Sequence, residues 1–464
     1  MAEQNKDNYI VLLAGGSGSR FWPRARVLEP KQFLTLHKNK SLFEETILRI
    51  KPIIKPENIF IATSDLYQNQ VMEIIKNYKI PINNLILEPN SKNTAPPIIW
   101  AAMLIDKINP KAKIAFLPCD HLINNALIFQ KLLKKALTIC KNKIILLGIT
   151  PDHPATGYGY IRTADNSNSF ISKVAHFYEK PSFKTARRFL KNKGYFWNSG
   201  IFISSAKIIL KEFSRYLPET YKELKKISSP REINKYWKNI KPISFDYGII
   251  EKTTSLAMIK TPKNLGWSDL GSWQAWDKLI KKDKDCNKFF GQTIDLNSKN
   301  ITVFGNNKRI IATIGLEGLI VVDTPDALLI TKKDKSEEVK KIVEILKSRH
   351  KQEHYLHKTV KRGWGCYTVL DASKGFKIKI IEIKPKHAIS LQYHNKRSEH
   401  WVVVEGQARI TKGKKVYTVS CNESTYIPIS CIHRISNPHD STLKIVEVQT
   451  GNYLEEADIV RLSG

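Results

Sequence analysis

The chain has 464 residues, 42% of them hydrophobic, with 75 Lys and Arg against 43 Asp and Glu and a formal net charge of +32. That length exceeds one ordinary core and predicts two or three domains. No apolar run reaches the roughly 20 residues of a membrane helix, and the polar start MAEQNKDN has no signal-peptide core. The basic residues are mostly lysines spread along the chain, as at Lys284, Lys332, Lys333, Lys340 and Lys341, with no basic tail or basic-aromatic module. They point to a lysine-rich proteome and anionic phosphate substrates rather than to a specific nucleic acid, with nonspecific adsorption expected at low salt. Six cysteines stand at 119, 140, 286, 366, 421 and 431 without a CxxC pair, which favours a reduced, cytoplasmic protein. Homo-oligomerisation stays open.

In chain order, Tyr9–Ala14 is an apolar run fit for one buried strand. Gly15, Gly16, Ser17, Gly18, Ser19 and Arg20 follow. Three glycines in four residues let the backbone turn several N–H groups toward one point, a nest for phosphate oxygens. Arg20 and, in Pro30-Lys31-Gln32-Phe33, Lys31 supply one planar and one point-like cation, a pair suited to a triphosphate. A glycine loop alone is more often a plain turn. No Gly-Lys-Ser/Thr closes it, so it is not a Walker A loop; Arg20, Trp22 and Pro23 stand where a dinucleotide fingerprint starts its helix.

SLFEETILRI (41–50) predicts a helix with Ser41 as N-cap and Glu44 completing a capping box. Strands are predicted over 58–63, 85–87, 113–117 and 144–148, with helices over 65–78 and 98–108 between them. The alternation predicts a mostly parallel, doubly wound α/β sheet, which binds ligands at the carboxyl ends of its strands. Gly15–Arg20 lies at one such end and Asp120, in Pro118-Cys119-Asp120-His121, at another. From spacing alone Asp120 is equally a metal ligand or a helix cap. Thr156–Ile161 is glycine-punctuated, so its backbone at Gly159 could approach a sugar. Pro181 ends a strand over 174–178 and leaves Glu179 and Lys180 at its rim, either a surface ion pair or a site. Asn198 in YFWNSG and Asp269 in GWSDLGSW stand beside aromatics and glycines; Trp197 could equally be core.

From Gly291 to Thr331 short β pieces recur with Gly and Asn turns, suggesting a β-helix-like spacer. Asp334–Gln352 reads as a charged amphipathic linker helix. From Gly363 about eight short strands alternate with turns, a jelly roll. There Gln392 and His394 share one strand face. With Glu399 and His433 they form a mixed N/O set for a divalent metal such as Zn2+.

Gly15-Gly16-Ser17-Gly18-Ser19-Arg20-Phe21-Trp22-Pro23, then Pro30-Lys31-Gln32-Phe33, resembles the signature of the sugar-nucleotide pyrophosphorylases, in the wording of the mannose-1-phosphate guanylyltransferase branch. The resemblance implies a Rossmann-like nucleotidyltransferase domain that joins GTP and mannose 1-phosphate. It implies Mg2+ on Asp120 and Asp269; Arg20 and Lys31 on the phosphates; and the Gly15–Ser19 loop with Asn93 on the nucleotide. It further implies Lys180 on the sugar phosphate and Glu179, Asn198 and Gly159 on mannose. Asp246 matches an acidic position of the family. The C-terminal part follows both cupin motifs, with Gln392 in place of the first His, and resembles type II phosphomannose isomerase. That implies metal ligands at Gln392, His394, Glu399 and His433 and a substrate-facing Arg397; Asn395 and Lys396 depart from the His-rich wording common there. The expected division is transferase 1–290, spacer 291–335, helical linker 336–360 and cupin 361–464.

Overall fold

The computed structural model describes residues 6–36, 39–164, 170–229, 232–306 and 308–462. It divides into two compact units, one holding the chain up to Thr324 and Leu328–His354, the other Pro325–Ala327 and the chain from Tyr355 onward.

The first unit is built on eleven strands before its spacer. They are β1 (Asn8–Ala14), β2 (Ile59–Ser64), β3 (Leu85–Glu88), β4 (Lys113–Pro118), β5 (Leu122–Ile123), β6 (Ile144–Ile149), β7 (Tyr160–Thr163), β8 (Ile171–Tyr178), β9 (Tyr195–Ser205), β10 (Leu256–Lys260) and β11 (Trp267–Ser268). Nine form one sheet in the order β3-β2-β1-β4-β9-β6-β10-β8-β7. The half from β3 to β4 is parallel, as helices cross over between those strands. The rest is mixed and departs from the mostly parallel expectation: β10 runs parallel to β6, but β9 runs antiparallel to both β4 and β6, and β8 returns antiparallel on β7 and β10. In β1 alternate side chains serve opposite layers. Tyr9 and Val11 pack with Phe60 and Phe116 on one face, and Ile10 and Leu12 with Ile59 and Ile61 on the other. Each such side chain contributes about 1.5–3 kcal/mol. The helix Leu42–Ile50 carries its capping box, with Ser41 Oγ accepting from Glu44 N and Glu44 Oε2 accepting from Ser41 N.

β5 and β11 form a separate two-stranded antiparallel ribbon with Trp267 opposite Ile123 and Ser268 opposite Leu122. It joins the segment after β4 to a segment more than 140 residues further along the chain.

The spacer has β-helix geometry. Lys288–Phe290, Thr302–Phe304 and Leu319–Asp323 stack in parallel, as do Thr293–Leu296 and Ile311–Ile314, around Ile301, Val303 and Val321. The helix after it is shorter than expected: a 3-10 stretch, Lys333–Glu338, precedes Val339–Ser348. Val339 and Val343 are buried, so its apolar stripe packs within the first unit.

The second unit is a sandwich of a six-stranded and a five-stranded sheet. Its core includes Trp401, Val403, Ile410, Ile435 and Ile445. Among the described residues no helix is long and apolar enough to cross a membrane.

Candidate functional site

The phosphate-loop candidate follows β1 directly. Gly15, Gly16 and Ser17 are exposed, and Gly16 (φ +92°) and Gly18 (φ +59°) take the left-handed backbone that lets the loop turn. A Cβ on Gly18 would lie 2.3 Å from Lys31 Cβ, so the glycine permits the loop to cross the Lys31 segment. Arg20 begins no hydrogen bond or ion pair among the described residues, whereas Lys31 is 5% exposed and fully engaged. Its Nζ donates to Asp120 Oδ2 (2.9 Å) and to the Asp269 carbonyl (2.5 Å).

The β5–β11 ribbon explains this meeting. Its register places Asp269, the residue after β11, beside the Asp120–His121 turn before β5. Burial is the largest influence and works against a charge on Asp120, but Lys31, His121 and a backbone hydrogen bond together hold the carboxyl below its usual range. Asp269 Oδ1 accepts two hydrogen bonds, from the Tyr158 hydroxyl (2.7 Å) and from Gly271 N (3.0 Å). The Trp267 indole donates to His121 Nδ1 (3.3 Å), which puts the imidazole proton on Nε2, 3.9 Å from Asp120 Oδ1; burial lowers the His121 pKa and keeps the ring neutral.

A second group gathers at the β7–β8–β9 edge. Asn198 N donates to the Gly159 carbonyl (2.8 Å), and Asn198 Nδ2 to Asp246 Oδ1 (2.9 Å). Lys180 Nζ pairs with Glu179 Oε1 at 2.9 Å, and Glu251 Oε1 accepts from Glu179 N. A Cβ on Gly159 would fall 2.7 Å from Glu179 Oε2, so this glycine lets the carboxylate approach the backbone. Burial, followed by the Glu179 charge, pushes Asp246 up to about 7. Tyr158 and Trp197, neighbours in sequence of Gly159 and Asn198, pack edge-on at 5.0 Å. They join this group to the Asp120–Asp269 group. Asn93 is exposed, and its Oδ1 accepts from Thr94 N. Thr94 Oγ1 in turn accepts from Phe245 N, next to Asp246. Asn93 (φ +70°), Lys180 (φ +45°) and Leu270 (φ +46°) all hold left-handed backbone, a costly conformation that gathers at functional sites.

In the second unit His394, Glu399 and His433 offer ligand atoms within 4.8 Å of one another, all buried. Gln392 stands in register opposite His433 and accepts from Ser390 Oγ. His433 Nδ1 donates to the Cys431 carbonyl (2.8 Å), leaving the Nε2 lone pair free. His433 Nε2 and both His394 nitrogens have no hydrogen-bond partner, although His394 Nε2 is 3.0 Å from Glu399 Oε1 in poor alignment. Burial opposes a charge on Glu399, yet His394, His433 and Arg397 hold its pKa below the carboxylate range. Orphaned imidazole nitrogens around an ionised carboxylate fit a divalent metal. Arg397, expected to face substrate, is 2% exposed. Its guanidinium is spent on Glu399 Oε1 (3.1 Å) and the Glu455 carbonyl (3.0 Å), so it braces Glu399 instead of opening to solvent.

Residues 9–285 match the family model described as nucleotidyl transferase, 291–346 the MannoseP isomerase/GMP-like beta-helix domain, and 349–464 the mannose-6-phosphate isomerase C-terminal domain. The mannose-1-phosphate guanylyltransferase of Salmonella muenchen is 37% identical across 97% of this chain and 97% of its own. The chain belongs to the mannose-1-phosphate guanylyltransferase family. Its relatives include the Escherichia coli strain K12 enzyme of that name, 34% identical over 98% of both chains. Another is the alginate biosynthesis protein AlgA of Pseudomonas fluorescens, 36% identical over 97% of this chain and 95% of that one. A solved structure described as mannose-1-phosphate geranyltransferase, from Thermus thermophilus, is 28% identical with a TM-score of 0.65, covering 74% of this chain and 99% of that one.

For this guanylyltransferase family member, sequence reasoning did not single out Tyr158, His121 or Glu251. Their only signal was proximity to chosen residues: Tyr158 precedes Gly159 and His121 follows Asp120. Contacts between segments this far apart leave no local pattern.

Proposed function

We propose that the first unit transfers a guanylyl group from GTP to mannose 1-phosphate, giving GDP-mannose and pyrophosphate for polysaccharide precursor synthesis. A phosphate oxygen of the sugar phosphate attacks the α-phosphorus. The bond from that phosphorus to the bridging oxygen of the β-phosphate breaks, and pyrophosphate leaves. No covalent nucleophile on the protein is required; positioning and charge neutralisation carry the rate.

The observation that carries this reading is the convergence of Lys31, Asp120 and Asp269 beside the glycine loop. The Gly15, Gly16, Ser17, Gly18 and Ser19 amides and Arg20 hold the triphosphate and the departing pyrophosphate, with Asn93 on the nucleotide side. Asp120 Oδ1 and Asp269 Oδ2 accept no hydrogen bond from another described residue, which fits them to hold Mg2+. When bound, that ion neutralises phosphate charge and stabilises the charge that develops on the reacting phosphoryl group. Lys31, anchored between the two aspartates, adds a fixed positive charge. Lys180 holds the phosphate of mannose 1-phosphate; Glu179, Asn198 and the Gly159 backbone hold the hexose. The test is purified protein with GTP, mannose 1-phosphate and Mg2+, scoring pyrophosphate release. Equal rates with ATP, or no release, would overturn the reading.

For the second unit, the His394–Glu399–His433 cluster favours a bound divalent metal, Zn2+ among the candidates, with Gln392 as fourth ligand. Such a metal, when bound, would polarise a carbonyl, the chemistry an aldose–ketose isomerisation between mannose 6-phosphate and fructose 6-phosphate needs. A coupled isomerase assay on metal-loaded protein, with His433→Ala as control, decides between an active isomerase and a metal-binding cupin that serves only the fold.

A further inference from the structure

Each candidate magnesium-binding aspartate carries its hydrogen bonds on one oxygen only. On Asp120 the Lys31 ammonium occupies Oδ2. On Asp269 both donors, the Tyr158 hydroxyl at 2.7 Å and Gly271 N at 3.0 Å, converge on Oδ1. Oδ2 is kept clear: a Cβ at position 271 would lie 2.7 Å from it, and glycine supplies none. Two donors on one oxygen fix the carboxylate plane and aim the other lone pairs away from them.

The phenol that does this is itself held rigidly. The Tyr158 ring packs edge-on against Trp197 at 5.0 Å and against Trp267 at 5.7 Å. Trp267 lies in the β5–β11 ribbon and also donates to His121, beside Asp120. Trp197 precedes Asn198. One aromatic cluster therefore touches the segments that carry both aspartates and the hexose contacts.

We propose that Tyr158 is a positioning residue for the catalytic metal: its hydroxyl turns Asp269 so that Oδ2 faces the cation. This rests on the reading of Asp120 and Asp269 as the magnesium ligands. The hydroxyl touches neither substrate nor reacting atoms in this role, so its loss acts through metal affinity.

The experiment is Tyr158→Phe, which keeps the ring and its aromatic contacts and deletes only the hydroxyl. Mn2+ binding without substrate is followed by electron paramagnetic resonance in full-length chains that all carry His433→Ala to silence the second unit's site, alongside the Mg2+ dependence of turnover. The expected result is about tenfold weaker Mn2+ binding, the low end of losses on removing a group that orients a metal ligand. A parallel rise in the Mg2+ needed for half-maximal turnover is expected, with kcat at saturating Mg2+ and KM for mannose 1-phosphate near wild type. Unchanged Mn2+ affinity in Tyr158→Phe, with Asp269→Asn abolishing it, overturns the role of Tyr158 and leaves the metal site standing. Wild-type Mn2+ affinity in Asp269→Asn overturns the metal reading itself. A kcat loss that saturating Mg2+ does not restore would show that the hydroxyl acts on the reaction rather than on the metal.

Discussion

Single side chains at the first site carry separable tasks. Asp120→Asn and Asp269→Asn each keep shape and lose charge, and each is expected to slow guanylyl transfer by roughly 100-fold or more with the far-ultraviolet circular dichroism unchanged. Near-normal turnover in either variant removes that carboxylate from the site. Lys180 is half-exposed and, among the described residues, meets Glu179 and the Tyr247 ring, so it can turn to a ligand. Lys180→Ala should raise KM for mannose 1-phosphate about tenfold while sparing KM for GTP; the opposite split would move Lys180 to the nucleotide. Asp246 offers a pH signature. Its folded pKa of about 7 lies above the ordinary carboxyl value of 3.8, so the folded state binds a proton that the unfolded chain has released. That contribution to stability is complete below about pH 4 and is lost as pH rises through 7. Asp246→Asn should therefore raise Tm more at pH 8 than at pH 5, by differential scanning calorimetry. An equal change at both values would contradict the assignment.

At the scale of elements, the glycine loop and the β5–β11 ribbon act as one device, because Lys31 reaches from the first to the second. Gly18→Ala forces a Cβ to within 2.3 Å of Lys31 Cβ at a φ of +59°. Since Lys31 Cβ is fixed to its backbone, the loop must shift. The expected outcome is a loss of transfer activity together with a raised KM for GTP, measured by steady-state kinetics. Ser41→Ala tests a local feature by contrast. Both halves of the capping box depend on Ser41, which sits at the helix end and whose side chain bonds only Glu44 among the described residues, so the substitution should cost about 1 kcal/mol in urea unfolding and leave kcat unchanged. The capping box was legible in the sequence because all its partners lie within four residues.

For the whole molecule, the second unit carries a buried constellation that a metal would complete. Binding to the folded state alone stabilises it in proportion to ligand concentration. Addition of Zn2+ or Mn2+ to chelator-treated protein should raise the midpoint of the transition belonging to the unit that begins at Tyr355. His433→Ala should abolish that shift while GTP with Mg2+ still stabilises the first unit. If His433→Ala leaves the shift intact, the metal lies elsewhere. The net charge of +32 predicts a further whole-molecule property, weak adsorption to polyanions that disappears by about 0.2 M salt.

The amino-acid sequence by itself determined the layout along the chain: a glycine loop after a buried strand, a β-rich spacer and a strand-and-turn C-terminal part. Those features are local, set by backbone freedom at glycine and by side-chain periodicity, so a linear reading reaches them. Only the tertiary structure decided what those residues do to one another. It sent β9 antiparallel into the sheet, and it buried Lys31 between Asp120 and Asp269. It also spent Arg397 on Glu399 and put the Tyr158 hydroxyl on Asp269. The β1–β4, β6–β10 and β5–β11 pairings join segments more than 100 residues apart. The free energy of such contacts comes from burial and hydrogen bonds that exist only once the chain has folded.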